Sequence, residues 1–145
     1  MDTNILLHYL RESNLAAQLD QQFRPLDSTL NEAVLSIVSV GEIRAIAKIN
    51  RWGKKRMDRV ETLCEELIVT DIFSEDLIEC YAEIDAFSQG KLEGRTLRMS
   101  SRNMGKNDLW IAATASILNA TLLTTDADFE HLKDEFLSVE LVDKT

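Results

Sequence analysis

Four acidic residues, each inside a short motif with apolar neighbours, are the residues of this chain best suited to chemistry. They are Asp2 in MDTNILL, Glu42 in SVGEIRAI, Asp108 in KNDLWIAATA and Asp126 in LLTTDADF. Carboxylates from distant points of a chain repel each other on convergence unless a cation lies between them. Hard oxygen ligands suit Mg²⁺ or Mn²⁺. The pattern therefore predicts a divalent-metal site that hydrolyses a phosphodiester.

Each of these acids also has a purely structural interpretation. Asp126 could serve only as a helix N-cap, and Asp108 could be a first-turn acid favoured by the helix dipole. Asp128 could join the metal site or merely support it. On a helix, Glu42 shares a face with three apolar residues, Ala45, Ile46 and Ile49. A carboxylate on such an apolar stripe is costly unless something positive meets it, which favours the metal interpretation for Glu42.

The elements that position these acids follow from hydrophobic periodicity and breakers. The predicted helices cover 4–11, 13–23, 39 or 40 to 50, 54–67, 74–87 and 107 or 108 to 118, with a short helix from the Asp126 cap to 132. The predicted strands cover 34–38, 68–72, 120–124 and 139–142, and 88–106 is predicted to be a long loop. Apolar strands separated by helices predict an α/β fold with a parallel sheet covered on both faces.

Ligands of such sheets bind beyond the carboxyl ends of the strands. Glu42 follows the predicted strand 34–38 by four residues, and Asp126 follows the strand 120–124 by two. Asp2 lies at the start of the first predicted helix. Asp108 reaches the same edge only if its helix begins there. We therefore expect all four carboxylates at one edge of the sheet.

The distribution of charge is more informative than the net charge of −9. Segments 44–59 and 91–106 hold 12 of the 16 Lys and Arg residues and only 2 acids, a net charge of +10. Local potential, and not total charge, steers a polyanion. The two segments are either solvated surfaces or contacts for phosphates, and their positions after Glu42 and before Asp108 favour phosphate contacts.

Length and composition limit the remaining possibilities. We expect 145 residues to form a single domain, 1–145, with 45% hydrophobic residues supplying its core. No apolar run approaches the roughly 20 residues of a membrane span, and no signal peptide is evident. The two cysteines, Cys64 and Cys80, are too few and too far apart for a disulfide framework or a zinc site. We therefore expect a cytoplasmic protein with no membrane partner.

The ordered set DTN, GEI, NDLWIAATA and LLTTDADF resembles the PIN-domain nucleases, especially the toxin subunits of bacterial VapBC-type toxin–antitoxin pairs. The resemblance extends from residue 1 to about residue 142. It implies a three-layer α/β/α sandwich with a central, mainly parallel sheet. It also implies a ribonuclease that depends on Mg²⁺ or Mn²⁺. A cognate antitoxin would cover the acidic site, and a homodimer is expected.

The resemblance also assigns residues to roles. Its metal-binding and catalytic acids are Asp2, Glu42, Asp108 and Asp126, with Asp128 as a further candidate. Thr3, Asn4 and Thr125 would support the acids. Within the two basic segments, we expect RNA contacts from Arg44, Lys48, Arg98, Arg102 and Lys106. Trp52 and Trp110 could stack on bases or pack in the core or an interface.

The chain departs from the family pattern at its start. Family members carry an apolar strand before the first Asp, whereas only Met1 precedes Asp2 here. Either that strand is missing or the start lies further upstream, and in both cases Asp2 is expected to be loosely held. The alternative function is therefore a catalytically weak or inactive PIN-like module that acts by binding antitoxin or RNA. His8 and His131 are expected to be structural or surface residues.

Overall fold

The computed structural model describes residues 1–143, which form two compact units. The first unit contains residues 1–71 with residue 143, and the second contains residues 72–142. Each unit carries two of the four predicted acids. Whether the whole chain behaves as the single domain expected from its length stays a prediction.

The first unit is built from four helices and two short strands. These are α1 (Thr3–Leu10), α2 (Asn14–Gln22), β1 (Val34–Ser36), α3 (Ile37–Ile49), α4 (Lys54–Glu66) and β2 (Ile68–Thr70). The strands β1 and β2 pair in parallel, with Val34 opposite Ile68 and Ser36 opposite Thr70. The parallel pairing predicted from the alternation of strands and helices is therefore confirmed within this unit.

The boundary between β1 and α3 differs from its prediction. The predicted strand continued to Val38, but it ends at Ser36, and Ile37 is already helical. The Ser36 hydroxyl accepts a hydrogen bond from the Val38 amide at 3.2 Å and so caps α3. A serine N-cap satisfies a backbone donor at a helix start, and this outweighs the β preference of Ile37 and Val38.

The helices α1 and α2 supply much of the core of the first unit. Six of their apolar side chains are buried: Ile5, Leu6, Tyr9, Leu10, Leu15 and Leu19. Leu35 of β1 and Ile43 of α3 are fully buried as well. Since burial of a large aliphatic side chain stabilises a fold by about 1.5–3 kcal/mol, this packing holds α1 and α3 in place.

The second unit contains two helices, a 3-10 helix and two strands. They are α5 (Glu75–Ser88), α6 (Lys106–Ile117), β3 (Thr121–Thr124), the 3-10 helix (Ala127–Leu132) and β4 (Ser138–Leu141). The strands β3 and β4 pair in parallel, with Leu122 opposite Val139. The predicted long loop is confirmed as the connection of residues 89–105 between α5 and α6.

A contiguous apolar core holds the second unit together. It includes Ile84 and Phe87 of α5, Leu109 of α6, Leu122 of β3 and Phe129 of the 3-10 helix. Small alanines on α6 lie at the centre of this core, and they allow α5 to approach α6 closely. No helix among residues 1–143 is both long and apolar enough to cross a membrane.

Candidate active site

Asp2, Thr3 and Glu42 form a connected group in the first unit. The Thr3 hydroxyl oxygen lies 2.8 Å from Glu42 Oε1 and 2.8 Å from the Ser39 hydroxyl oxygen. Because an ionised carboxylate only accepts, the single Thr3 hydrogen is donated to Glu42, and Ser39 donates to Thr3. Asp2, the acid of the first motif, is thus adjacent to Thr3, whose hydroxyl binds Glu42, the acid of the second motif.

Asp2 is held firmly, and the expectation of a loosely held residue is wrong. Its carboxylate accepts a hydrogen bond from the Thr3 amide at 2.7 Å and caps α1, and the residue is only 4% exposed. The Met1 amino group donates to the Val34 carbonyl of β1 at 3.1 Å. Burial lowers the pKa of that amino group to about 6. These contacts hold the segment that carries Asp2 against β1.

The buried face of α3 is not the apolar stripe that was predicted around Glu42. The buried face consists of Ser39, Val40, Ile43 and Ala47, whereas Ile49 on the predicted apolar stripe is 78% exposed. Glu42 itself is half-buried. The carboxylate therefore lies at the edge of the helix interface and is not enclosed by an apolar stripe.

Asp108 lies in the first turn of α6, in the second unit. The helix begins at Lys106, one or two residues earlier than predicted, and its N-cap is Gly105. A Cβ at Gly105 would lie 3.6 Å from Asp108 Oδ2, an ordinary van der Waals contact, so the glycine lies next to this carboxylate. A carboxylate in a first turn is also stabilised by the helix dipole.

Asp126 lies two residues after the end of β3 and caps the 3-10 helix, as its sequence position predicted. Its Oδ1 accepts from the Asp128 amide at 2.9 Å, and its own amide donates to the Thr124 hydroxyl at 3.0 Å. Asp128 is exposed. The Thr125 hydroxyl is buried and makes no hydrogen bond within residues 1–143. An unpartnered buried hydroxyl beside Asp126 is a donor available for a further contact.

The donors fit a hard cation by their chemistry, because they are carboxylate and hydroxyl oxygens. The described part of the chain contains no group of three or more His, Cys, Asp or Glu side chains arranged to hold a metal ion. The connected acids are Asp2 and Glu42, joined through Thr3. Thr3 contacts both acids, whereas Asn4 is exposed, and the supporting roles expected for the two residues stay predictions.

Comparison with known proteins identifies the family. The family model of the PIN domain matches residues 1–135. The chain belongs to the PIN domain family. A curated relative, Ribonuclease VapC1 of Haemophilus influenzae, is 27% identical over 136 residues, which cover 92% of this chain and 91% of that protein. The same relation holds for its counterpart from a second strain.

Solved structures agree with the family assignment. VapBC2 from Rickettsia felis, bound to a DNA fragment from its promoter, matches with a TM-score of 0.73 at 20% identity, over 98% of this chain and 96% of that one. VapBC-1 from nontypeable Haemophilus influenzae matches with a TM-score of 0.69 at 25% identity, over 97% and 94%. The predicted PIN-like α/β fold is therefore confirmed.

The basic residues of this PIN domain lie mainly on its surface. Arg44 and Lys48 are exposed on α3, and Arg98 and Lys106 are exposed in the second unit. Arg102 differs, because it is half-buried and its Nε makes no hydrogen bond within residues 1–143. The Arg102 amide donates to the Ser88 carbonyl at 2.8 Å, which ties the basic connection to α5.

Two polar contacts of this PIN domain were missed by sequence reasoning. Ser39 is fully buried beneath Thr3. The sequence feature that could have indicated Ser39 is its position one helical turn before Glu42. His131 Nε2 lies 2.6 Å from the Ser88 hydroxyl, and both residues are buried. Nothing in the sequence indicates that pair, since 43 residues separate its members.

Proposed function

We propose that this PIN domain is a divalent-metal-dependent endoribonuclease, the toxin subunit of a toxin–antitoxin pair. The observation that carries the proposal is the Asp2–Thr3–Glu42 group, in which Thr3 donates its backbone amide to the buried Asp2 carboxylate and its hydroxyl to the Glu42 carboxylate. The similarity to Ribonuclease VapC1 along nearly the whole chain supports RNA as the substrate.

The metal is Mg²⁺ or Mn²⁺ in this proposal, with Asp2, Glu42, Asp108 and Asp126 as its ligands and Asp128 as a further candidate. When bound, such an ion lowers the pKa of a water and stabilises charge on the phosphate. Thr3 keeps the Glu42 carboxylate in one orientation, and the α1 start does the same for Asp2.

The basic surface has a separate role in this proposal. Arg44 and Lys48 on α3, with Arg98, Arg102 and Lys106 in the second unit, would bind RNA phosphates. Electrostatic contacts of this kind carry no sequence information, so they hold the RNA while the acids act on it. Thr125 and Asn4 would support the acids, and the unpartnered Thr125 hydroxyl is suited to that task.

A partner protein belongs to the proposal as well. The VapBC-1 structure from Haemophilus influenzae is 25% identical to this chain over almost its full length. We therefore expect a cognate antitoxin to bind this chain and to suppress its cleavage of RNA. A homodimer of this chain and a cytoplasmic location complete the proposal.

The first experiment measures RNA cleavage by the purified chain with Mg²⁺ and with EDTA. We expect cleavage of single-stranded RNA with Mg²⁺ and none with EDTA. Glu42→Gln and Asp108→Asn should each reduce the rate at least roughly 100-fold, since metal sites lose about 10–100-fold even when an outer partner is changed. Glu65→Gln removes the same charge from an exposed position on α4 and should leave the rate unchanged.

Two outcomes would reject this mechanism. Cleavage that persists in EDTA would exclude the divalent metal. Equal rates for Glu42→Gln and Glu65→Gln would exclude Glu42 from the site. If no RNA is cut under any condition while RNA and antitoxin still bind, the chain is the inactive binding module.

A further inference from the structure

A cavity of about 270 Å³ opens in the first unit, away from the acids. Its walls come from three helices and the turn that joins two of them: Leu7, Leu10, Arg11, Ile46, Asn50, Trp52 and Arg56. The volume lies just below the roughly 300–1,000 Å³ of pockets that enclose drug-sized ligands. It therefore suits one planar group of the size of a nucleobase.

The lining combines an aromatic ring with two positive charges. The Arg56 guanidinium lies 5.0 Å from the centre of the Trp52 ring, and Trp52 is half-buried, so the ring is held in place yet accessible. Arg11 supplies a second guanidinium, and no acidic residue lines the cavity. Leu7, Leu10 and Ile46 supply an apolar surface. Aromatic and guanidinium planes are the groups on which bases of single strands stack.

The cavity lies along the same pair of helices that carries the first two acids. Thr3 of α1 contacts Glu42 of α3, and one turn further along each helix Leu7 and Ile46 line the cavity. Leu7 to Arg11 therefore lie on the order of 6 to 12 Å along α1 from Thr3, at about 1.5 Å per residue. That distance spans roughly two to four stacked nucleotides at about 3.4 Å each.

We propose that this cavity binds one base of single-stranded RNA against Trp52, with Arg11 and Arg56 on the flanking phosphates. The inference rests on the proposed function, because the RNA held there is the one whose backbone passes the acids. A peptide is the other occupant to consider. Two guanidinium groups beside a stacking ring, with no acidic residue on the lining, favour the polyanion with aromatic bases.

The test uses Trp52 as its own reporter. The chain contains two tryptophans, and Trp110 lies against Tyr81 in the second unit with ring centres 4.2 Å apart. In a Trp110→Phe background, Trp52 is the only tryptophan that can respond. Short oligoadenylate and oligouridylate are titrated in EDTA, so that binding is measured without cleavage. We expect both to quench the Trp52 fluorescence with saturation.

Substitutions then locate the contact. Trp52→Leu and Arg56→Gln, followed by fluorescence anisotropy of labelled RNA, should each weaken binding on the order of tenfold, as expected for loss of a stacked base. Trp52→Phe keeps a ring and should retain most of the affinity. Arg24→Gln is the matched control, because Arg24 is exposed, lies outside both basic segments and is absent from the lining. Thermal melting of each variant verifies that it is folded.

The outcomes separate this inference from the proposed function. Quenching by RNA in a chain that never cleaves would refute the nuclease and leave the cavity assignment standing. Cleavage without quenching, or equal affinities for Arg56→Gln and Arg24→Gln, would overturn the cavity assignment alone. Unchanged RNA affinity together with loss of antitoxin binding in Trp52→Leu would also overturn it, since the cavity would then belong to the protein partner.

Discussion

His131 shows how a buried titratable residue makes the stability of this fold depend on pH. Its ring contacts the Ser88 hydroxyl and stacks on Phe87, with ring centres 6.4 Å apart. Burial, with a contribution from the Arg102 guanidinium, lowers the pKa of His131 from 6.5 to about 4. The folded protein therefore keeps this imidazole neutral where the unfolded chain protonates it.

The resulting prediction concerns stability and not cleavage. Between pH 6.5 and about 4 the unfolded chain binds the extra proton, so the free energy of unfolding falls as the pH falls through this window. The stabilisation from a neutral His131 is fully present above pH 6.5. Its complete loss at low pH lowers the free energy of unfolding by up to about 3 kcal/mol. Urea unfolding at pH 7 and pH 5 in EDTA measures it. His131→Asn should flatten this slope, and an unchanged slope would contradict the assignment.

At the scale of elements, the contact between α1 and α3 depends on the Thr3 hydroxyl. Thr3→Val keeps the shape of the side chain and removes the hydroxyl, so Glu42 and Ser39 each lose a partner. We expect the free energy of unfolding to fall by about 1–3 kcal/mol, the cost of leaving buried polar groups unsatisfied. Denaturant unfolding measures this loss, and Thr3→Ser should recover most of it. Equal stability of the Val variant would show that the contact is not needed.

The same variants test the role of this contact in orienting Glu42. If the hydroxyl only stabilises the fold, the cleavage rate at a temperature well below unfolding is the same for Thr3→Val and the unaltered chain. If it holds the carboxylate in place, the rate falls on the order of tenfold and Thr3→Ser restores it. The stability and the rate are thus separate measurements on one pair of substitutions.

Local chemistry explains which elements could be predicted from the sequence. Ser74 and Asp126 were predicted as caps and accept from the Leu77 and Asp128 amides. The end of β1 could not be placed, because Ile37 favours a strand while Ser36 favours a helix start. The short element after Asp126 was predicted as a helix and is a 3-10 helix. Short-range signals thus locate helix starts better than strand ends.

Long-range packing explains what the sequence could not reveal about the site. The motifs named Asp2, Thr3 and Glu42, but the hydrogen bond from the Thr3 hydroxyl to Glu42 becomes visible only when α1 lies against α3. The stripe of α3 that contains Ile49 looked buried because a helix pattern alone does not say which neighbour covers which face. The cavity beside Trp52 is likewise invisible in the sequence, since its lining comes from three helices.

At the scale of the whole molecule, an acidic protein must still attract RNA if the proposed function is right. Outside segments 44–59 and 91–106, the chain carries 4 basic and 23 acidic residues. This excess repels a polyanion at long range, and the two basic segments attract it locally. Binding should therefore depend steeply on salt and on which positive charges are present, and not on the net charge.

The last prediction measures that dependence. The logarithm of the RNA association constant should fall linearly with the logarithm of the salt concentration, with a slope of about −0.7 for each neutralised phosphate of a single strand. Lys48→Gln and Arg98→Gln should each make the slope shallower by about 0.7 if each residue neutralises one phosphate. Arg24→Gln removes the same charge from an exposed position outside both segments and should leave the slope unchanged. Equal changes in all three variants would mean that the overall charge governs binding, and the two basic segments would then lose their assignment as the RNA-binding surface.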